Sequence, residues 1–269
     1  MSRAYVHGYD ERESVRLQDQ ASSVLELLHA DTRYPPGSAV LEAGCGTGAQ
    51  TVTLARNNPE VRFTSIDISA ASLAEAKARV RAAGLTNVTF RQQDVFKLPS
   101  ESFDHVFVCF LLEHLARPLE ALRALKAVLK PGGTITVFEG DHGSTYFHPD
   151  NALAHRAVQC LVDLQKQAGG NANIGRQLYP LLREAGYGAV RVSPRMVYVD
   201  ASKPKLVDSF TRKTFAAMID GVREPAIQAG MMSAADFDAG IRALHRAAED
   251  DGVFCYTFFK GVALRETKS

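Results

Sequence analysis

Apolar positions along this chain fall into two kinds of run, and their alternation predicts a layered α/β fold. Ala39-Val40-Leu41, VRFTSID, VTF, FDHVFVCF and TITVF are compact, rich in β-branched and aromatic residues, and of strand length. Between them, AQTVTLARNN, the stretch with Leu73, Ala76 and Val80, and the stretch from Pro118 to Lys130 have helical composition or spacing. Ser69 is placed to cap the second of these helices and Gly84 to stop it, while Pro118 opens the third and Pro131-Gly132-Gly133 follows its end. Strands separated by crossover helices pair in parallel and gather ligands at their C-terminal ends. GAVRVSPRMVYV and VFCYTFFKGVAL read as two later strands.

The most informative stretch is VLEAGCGTGAQ, Val40 to Gln50. A buried strand ends in Glu42 and opens into Gly44, Gly46 and Gly48, which remove the side chains that would keep a ligand off the backbone. The following helix turns its free N-terminal amides toward the same crevice. Gly44, Gly46 and Ala49 satisfy a loose dinucleotide fingerprint, and Asp67 closes the next strand at about the 20-residue separation of a carboxylate that holds ribose hydroxyls. NAD and S-adenosylmethionine both fit to this point. Glu42 favours a cationic ligand, and Asp94 in RQQDVF is placed to accept a hydrogen bond from an adenine amino group. As alternatives, Asp67 reads as a helix N-cap and Asp94 as a turn residue.

The order VLEAGCGTG, TSID, QQDVFKLP, FDHVFVCFLLEHL and LKPGGTITVFE resembles the class I S-adenosylmethionine-dependent methyltransferases, in the small-molecule branch related to quinone biosynthesis, over residues 38 to 140. The resemblance implies a Rossmann-like seven-stranded α/β sheet, mostly parallel with an antiparallel last strand, helices on both faces and extra helical lid insertions. It places Glu42, Gly44 and Gly46 around the methionine part of the cofactor, Asp67 on the ribose, Asp94 with Val95 at the adenine and the Cys109 backbone beside the sulfonium. Cys45, Gln50 and Ile68 complete that set. Tyr9, Arg16 and Gln20 lie in a segment that in similar enzymes covers the cofactor, so Tyr9 and Gln20 are expected near its carboxylate end, whereas Arg16 reads equally as a solvated helix residue. The product is then S-adenosylhomocysteine.

The expected organisation is one domain: a helical cover at 1–34, a cofactor-binding core at 38–140, and helical cover segments at 142–175 and 202–252. The last interval stands where a hairpin would suffice, and reads as a lid or an oligomer contact, which leaves a homodimer open. Met218, Met231 and Met232 there read either as an adaptable pocket lining or as core.

Composition narrows the partners. The 269 residues carry 46% hydrophobic and 23% charged positions with a net charge of +1, material for a core without the massed cations that a nucleic-acid backbone demands. No apolar run has membrane-spanning length and the N-terminus lacks a signal-peptide core, so the expected place is the cytoplasm with no membrane partner. The four cysteines show no CxxC pair and read as buried free thiols, with no metal site expected.

Methyl transfer needs positioning and, for an O–H or N–H acceptor, a base. Glu113-His114 follow the fourth strand, and Glu139, Asp141 and His142 follow the fifth. His142 is the first candidate and His114 the second, with a turn role for His142 and a loop-shaping role for His114 as alternatives. His148, Tyr146 and Tyr256 are further candidates. No (D/N)PP(Y/F), Pro-Cys or paired-glutamate loop is present, which leaves an N, O or carbon nucleophile on a small metabolite; the Phe and Tyr of TYFH, FCYTFF and MVYV read, from composition alone, as suiting a partly apolar or aromatic one. The rival readings are an NAD-dependent oxidoreductase and a non-catalytic S-adenosylmethionine-binding regulator.

Overall fold

The structure, a computed structural model, describes residues 28–267. Its strands are β1 (Ala39–Ala43), β2 (Arg62–Asp67), β3 (Val88–Gln92), β4 (Phe103–Cys109), β5 (Leu129–His148), β6 (Gly188–Asp200) and β7 (Val253–Leu264). They form a seven-stranded sheet in the order β3-β2-β1-β4-β5-β7-β6. β1 pairs in parallel with β2 and β4, β2 with β3, and β4 with β5. β7 runs antiparallel to β5: the Gly132 N–H donates to Arg265 O and the Arg265 N–H to Gly133 O, each at 2.8 Å, which joins the start of one strand to the end of the other.

The helices are α1 (Ala49–Asn57), α2 (Ala70–Ala82), α3 (Pro118–Ala127), α4 (Ala152–Gln167), α5 (Leu178–Glu184), α6 (204–220), α7 (Arg223–Gln228) and α8 (Ala234–Arg246). Ser69 caps α2, accepting from the Ser72 N–H, and Ser233 caps α8 in the same way through Asp236. The third helix stops at Ala127 rather than at Lys130. The Val128 carbonyl accepts from the Phe103 N–H and Leu129 pairs with Phe103, so the sheet claims these residues before a further helical turn can form. Among the described residues no helix is long and apolar enough to cross a membrane.

The chain falls into two compact units. In the first, described over 28–139, 174–195 and 259–267, alternation along the strands separates two faces. Leu41, Ala43, Ile66, Val106, Val108, Ile135 and Val137 pack with α3 and α5 into an apolar core. The register that sets Glu42 opposite Phe107 gives the other face a different character, with Phe63, Phe107 and Phe138 beside buried Glu42, Ser65 and His29. On the way from β1 to α1, Gly48 has φ +79°, and a Cβ there would stand 2.8 Å from the Ala76 Cβ of α2.

In the second unit, 140–173 and 196–258, α4 packs against α8 so closely that a Cβ on Gly240 would stand 2.6 Å from the Leu153 carbonyl. Val207–Ala216 within α6 is π-helical, and Thr214 Oγ1 donates back to Ser209 O at 2.8 Å. From this wider turn Phe210 and Phe215 meet Phe254 and Tyr256, with Phe215 and Phe254 centroids 4.8 Å apart. Met218 and Met232 are buried, in keeping with the core-packing reading of these methionines.

Gly48→Ala combines left-handed backbone strain with overpacking against α2, and is expected to lower stability by about 2–4 kcal/mol. Urea unfolding measures it; a loss under about 0.5 kcal/mol, the scatter of neutral surface changes, would mean that this glycine does not set the spacing of α1 and α2.

Candidate functional site

Between β1 and α1 the loop is folded by contacts to β2. The Gly44 and Cys45 N–H groups both donate to Ile66 O, at 2.8 and 3.0 Å, and the Gly48 N–H donates to Cys45 O at 2.9 Å. The Gly46 N–H donates to Asp67 Oδ2 at 2.9 Å, while Asp67 Oδ1 accepts from the Ser69 N–H, also at 2.9 Å. Gly44 and Gly46 have φ of +73° and +51°. A Cβ on Gly44 would strike the Leu111 side chain, whereas one on Gly46 would meet nothing within 4 Å. The glycines thus serve two ends, close packing at Gly44 and open space at Gly46. Sequence reasoning expected the loop amides to face a ligand; at 44, 45, 46 and 48 they are bonded within the protein.

Side chains carry what the amides do not. Glu42 is buried, with Oε2 accepting from Thr51 Oγ1 at 2.8 Å and from Ser65 Oγ at 2.5 Å. Burial pushes its carboxyl up to about 7; the two hydroxyls oppose that rise and the Asp67 charge adds to it. Asp67 is half-buried, and next to it Ile68 is 64% exposed, presenting an apolar side chain at the C-terminal end of β2. Asp94 lies two residues beyond β3, its Oδ1 accepting from the Phe96 N–H at 2.9 Å, and Val95 is buried.

Beyond β4, Phe110 adopts a left-handed φ of +55°, unusual for a bulky residue. Fully buried Glu139 holds the turn that follows: its Oε1 accepts from the Leu111 and Leu112 N–H groups at 3.1 and 2.7 Å. Burial first, and then the Glu113 charge, lifts the Glu139 carboxyl well above the usual range. Burial also raises the Cys109 thiol, with Glu139, Glu42 and Glu113 adding to the effect, and the Cys45 thiol is likewise pushed up by burial. All four cysteines are buried free thiols. His114 Nε2 lies 3.6 Å from Glu113 Oε1.

Gln50 is engaged by a residue that sequence reasoning missed. His29 Nε2 lies 2.5 Å from Gln50 Oε1, and the imidazole is fully buried edge-on to Phe107 and Phe138, at 5.6 and 5.1 Å. Burial depresses its pKa to about 4, against the pull of the Gln50 bond. Two residues on, Asp31 pairs with Lys260 at 2.7 Å and with Arg195 at 2.5 Å. Tyr9 and Gln20 lie outside the described residues.

In the second unit, Asp141 and His142 are buried. Together with Glu139 they stand inside β5 rather than after it, because the strand continues to His148. His142 Nδ1 lies 2.5 Å from the Tyr256 hydroxyl, and its N–H donates to Ala172 O at 3.0 Å. Tyr146 is half exposed, with its hydroxyl 3.9 Å from Met196 Sδ.

The sequence profile described as a methyltransferase domain matches residues 35–186. Trans-aconitate 2-methyltransferase of Deinococcus radiodurans is 35% identical over 178 residues, covering 64% of this chain and 63% of that protein. The 27-O-demethylrifamycin SV methyltransferase of Amycolatopsis mediterranei is 26% identical over 248 residues, covering 91% and 84%. The chain spans 34% and 59% of the length of two uncharacterised relatives from Synechococcus sp. and Streptomyces fradiae. In fold it is similar to phosphoethanolamine N-methyltransferase 2 of Haemonchus contortus, solved with phosphomonomethylethanolamine and S-adenosylhomocysteine. That match has a TM-score of 0.59 at 15% identity and covers 96% of this chain and 58% of the other. With more than half its length matched by the profile, the chain belongs to the methyltransferase domain family, whose cofactor is S-adenosylmethionine.

Proposed function

We propose that this chain transfers the methyl group of S-adenosylmethionine to a nucleophile of a small metabolite. The observation that carries this reading is the sign of the charge at the glycine loop. Glu42 lies buried beneath it, Asp67 straps it, and the amides of Gly44, Cys45 and Gly46 are bonded inside the protein. A dinucleotide would bring a pyrophosphate to those amides and against two carboxylates, whereas a sulfonium and an ammonium complement the carboxylates. The cofactor supplies an electron-poor methyl group. Glu42, Gly44, Cys45 and Gly46 would hold its amino-acid part, Asp67 and Ile68 its ribose side, Asp94 and Val95 its adenine, with Gln50 and the Cys109 backbone nearby.

His142 takes the base role for an acceptor bearing O–H or N–H, removing the proton as the nucleophile attacks. His114, beside Glu113, is second to it, and the 3.6 Å approach of the two side chains suits holding the turn after β4. Relatives named for trans-aconitate and for 27-O-demethylrifamycin SV support a small-molecule acceptor.

Calorimetric titration tests the cofactor. Micromolar binding of S-adenosylhomocysteine without binding of NADH is the expected result; NADH binding alone, or neither, would overturn the reading. Binding followed by no methyl transfer across a broad metabolite pool would favour a regulator. Asp67→Asn, which keeps one carbonyl acceptor for the loop, is expected to weaken S-adenosylhomocysteine roughly tenfold or more; unchanged affinity would remove Asp67 from the site. Once an acceptor is known, His142→Ala should lower kcat about 100-fold with cofactor affinity intact, and full turnover would exclude the base role.

Glu42 also gives a pH signature. Its carboxyl rises from 4.5 to about 7 in the folded chain. Folding therefore takes up a proton, and the associated stability is fully present below 4.5 and lost as pH rises through about 7. A shift of this size is worth on the order of 3 kcal/mol. Unfolding of the ligand-free Glu42→Gln chain, followed across that pH window, should show a decline smaller by about this amount. Parallel curves for the two proteins would show that folding leaves the proton affinity of Glu42 unchanged.

A further inference from the structure

The short segment ahead of β1 is tied to both ends of α1. At the first turn of that helix, His29 Nε2 lies 2.5 Å from Gln50 Oε1, so a fully buried imidazole meets the tip of a half-buried glutamine. At the far end, the Tyr34 N–H donates to Asn58 Oδ1 at 2.9 Å, while Asn58 Nδ2 donates to Leu54 O at 2.9 Å and to Thr32 O at 3.4 Å. Between these ties Asp31 pairs with Lys260 of β7 and Arg195 of β6, at 2.7 and 2.5 Å. Lys260 Nζ also lies 5.3 Å from the centre of the Phe138 ring that flanks His29. Residues 29–34 therefore run beside α1 and are anchored to two strands of the sheet.

Packing alone does not call for a histidine at 29. Phe107 and Phe138 meet the ring edge-on, at 5.6 and 5.1 Å, and an apolar side chain would fill that space without burying two ring nitrogens. Nδ1 has no hydrogen-bonding partner among the described residues, so the contact with Gln50 is what offsets the desolvation of the imidazole. Burial also keeps the ring neutral, with its pKa depressed to about 4. Whichever of the two side chains donates, the glutamine amide is bonded to a ring wedged between two phenylalanines. A free glutamine samples many rotamers, and a ligand that needs one of them must immobilise the side chain as it binds.

We infer that His29 is a positioning residue for Gln50: wedged between Phe107 and Phe138, it holds the glutamine side chain in one rotamer at the start of α1, preset for the cofactor. The inference rests on the cofactor site proposed above, in which Gln50 stands beside S-adenosylmethionine. It extends that site to residues 29–34 and, through Asp31, to the strands that carry Lys260 and Arg195.

A double-mutant cycle on the full chain tests this, with His29→Leu, Gln50→Leu and the double variant titrated with S-adenosylhomocysteine by calorimetry. His29→Leu should weaken binding about 3–10-fold, the scale of one hydrogen bond or one pre-ordered side chain. In the Gln50→Leu background the same change should cost less than about twofold. Unchanged affinity in His29→Leu would overturn the inference. So would an equal loss in both backgrounds, which is what a histidine that only supports the fold would give. Should His29→Leu fail to fold, His29→Phe, which keeps an aromatic ring against Phe107 and Phe138, takes its place in the cycle. Thermal unfolding of the ligand-free variants reads the contact without cofactor: the fall in Tm of the double variant should be smaller than the sum of the two single falls. Additive falls would mean that the two side chains do not interact, and would overturn the inference as well. Absence of binding to the unmodified chain would overturn the cofactor reading, and this inference with it, whereas binding without coupling removes His29 alone.

Discussion

The carbonyl of Ile66 accepts two amides of the glycine loop, and Asp67, the next residue, accepts a third. Much of the first unit's chemistry follows from those bonds. They fix the path from β1 to α1 before any ligand arrives, and that path needs the positive φ values of Gly44, Gly46 and Gly48. Gly44 then lies under Leu111 and Gly48 against Ala76, so the loop is packed on two sides and open at Gly46. A loop whose amides are already bonded loses little freedom when a ligand binds. Apolar side chains pack it, and the polar groups next to it are acids: Asp67 bonds the Gly46 amide and Glu42 is buried in β1.

Those acids are costly. Glu42, Glu113 and Glu139 are all buried, and each acts on the Cys109 thiol through its charge. Glu139 offsets part of its desolvation by accepting two amides of the turn after β4, a structural duty that also constrains Phe110 in its left-handed conformation. Among the described residues Glu42 is bonded by the hydroxyls of Thr51 and Ser65, which moderate the rise in its pKa without cancelling it. An apolar replacement would be cheaper for folding alone, since well-packed apolar residues equal or exceed buried ionic groups in stability. Local rules broken at this cost cluster at functional sites.

The sequence carried the local part of this design and little of the non-local part. The glycine loop, the Ser69 cap and the limits of β7 are properties of short windows, and the structure places them where the pattern did, whereas pairing in the sheet ends α3 at Ala127 and carries β5 on to His148. The grip of Glu139 on Leu111 joins residues 28 positions apart, and the His29–Gln50 contact joins residues 21 apart. Neither leaves a periodic trace. Phe254, Tyr256 and Phe258 of FCYTFF are buried, and Phe254 and Phe258 meet Phe210 of the π-helical turn, a packing role that composition does not reveal. The π-helix itself depends on tertiary packing that no helical window encodes.

On the proposed reading, the buried acids also bear on turnover. S-adenosylmethionine carries a positive charge that its product lacks, and if Glu42 helped to hold the cofactor that charge would favour its ionised form. A carboxyl with pKa near 7 answers the loss of that charge by taking up a proton, whereas an ordinary surface carboxylate would stay ionised and unpaired. Proton uptake at Glu42 would thus accompany the change from cofactor to product and soften the repulsion among the acids that remain. The same linkage makes the preference for the charged cofactor over its neutral product depend on pH, greatest where Glu42 is ionised and smaller in acid. On this reading, the burial that raises the Glu42 carboxyl would also make it more sensitive to a positive charge held nearby than a surface carboxylate is.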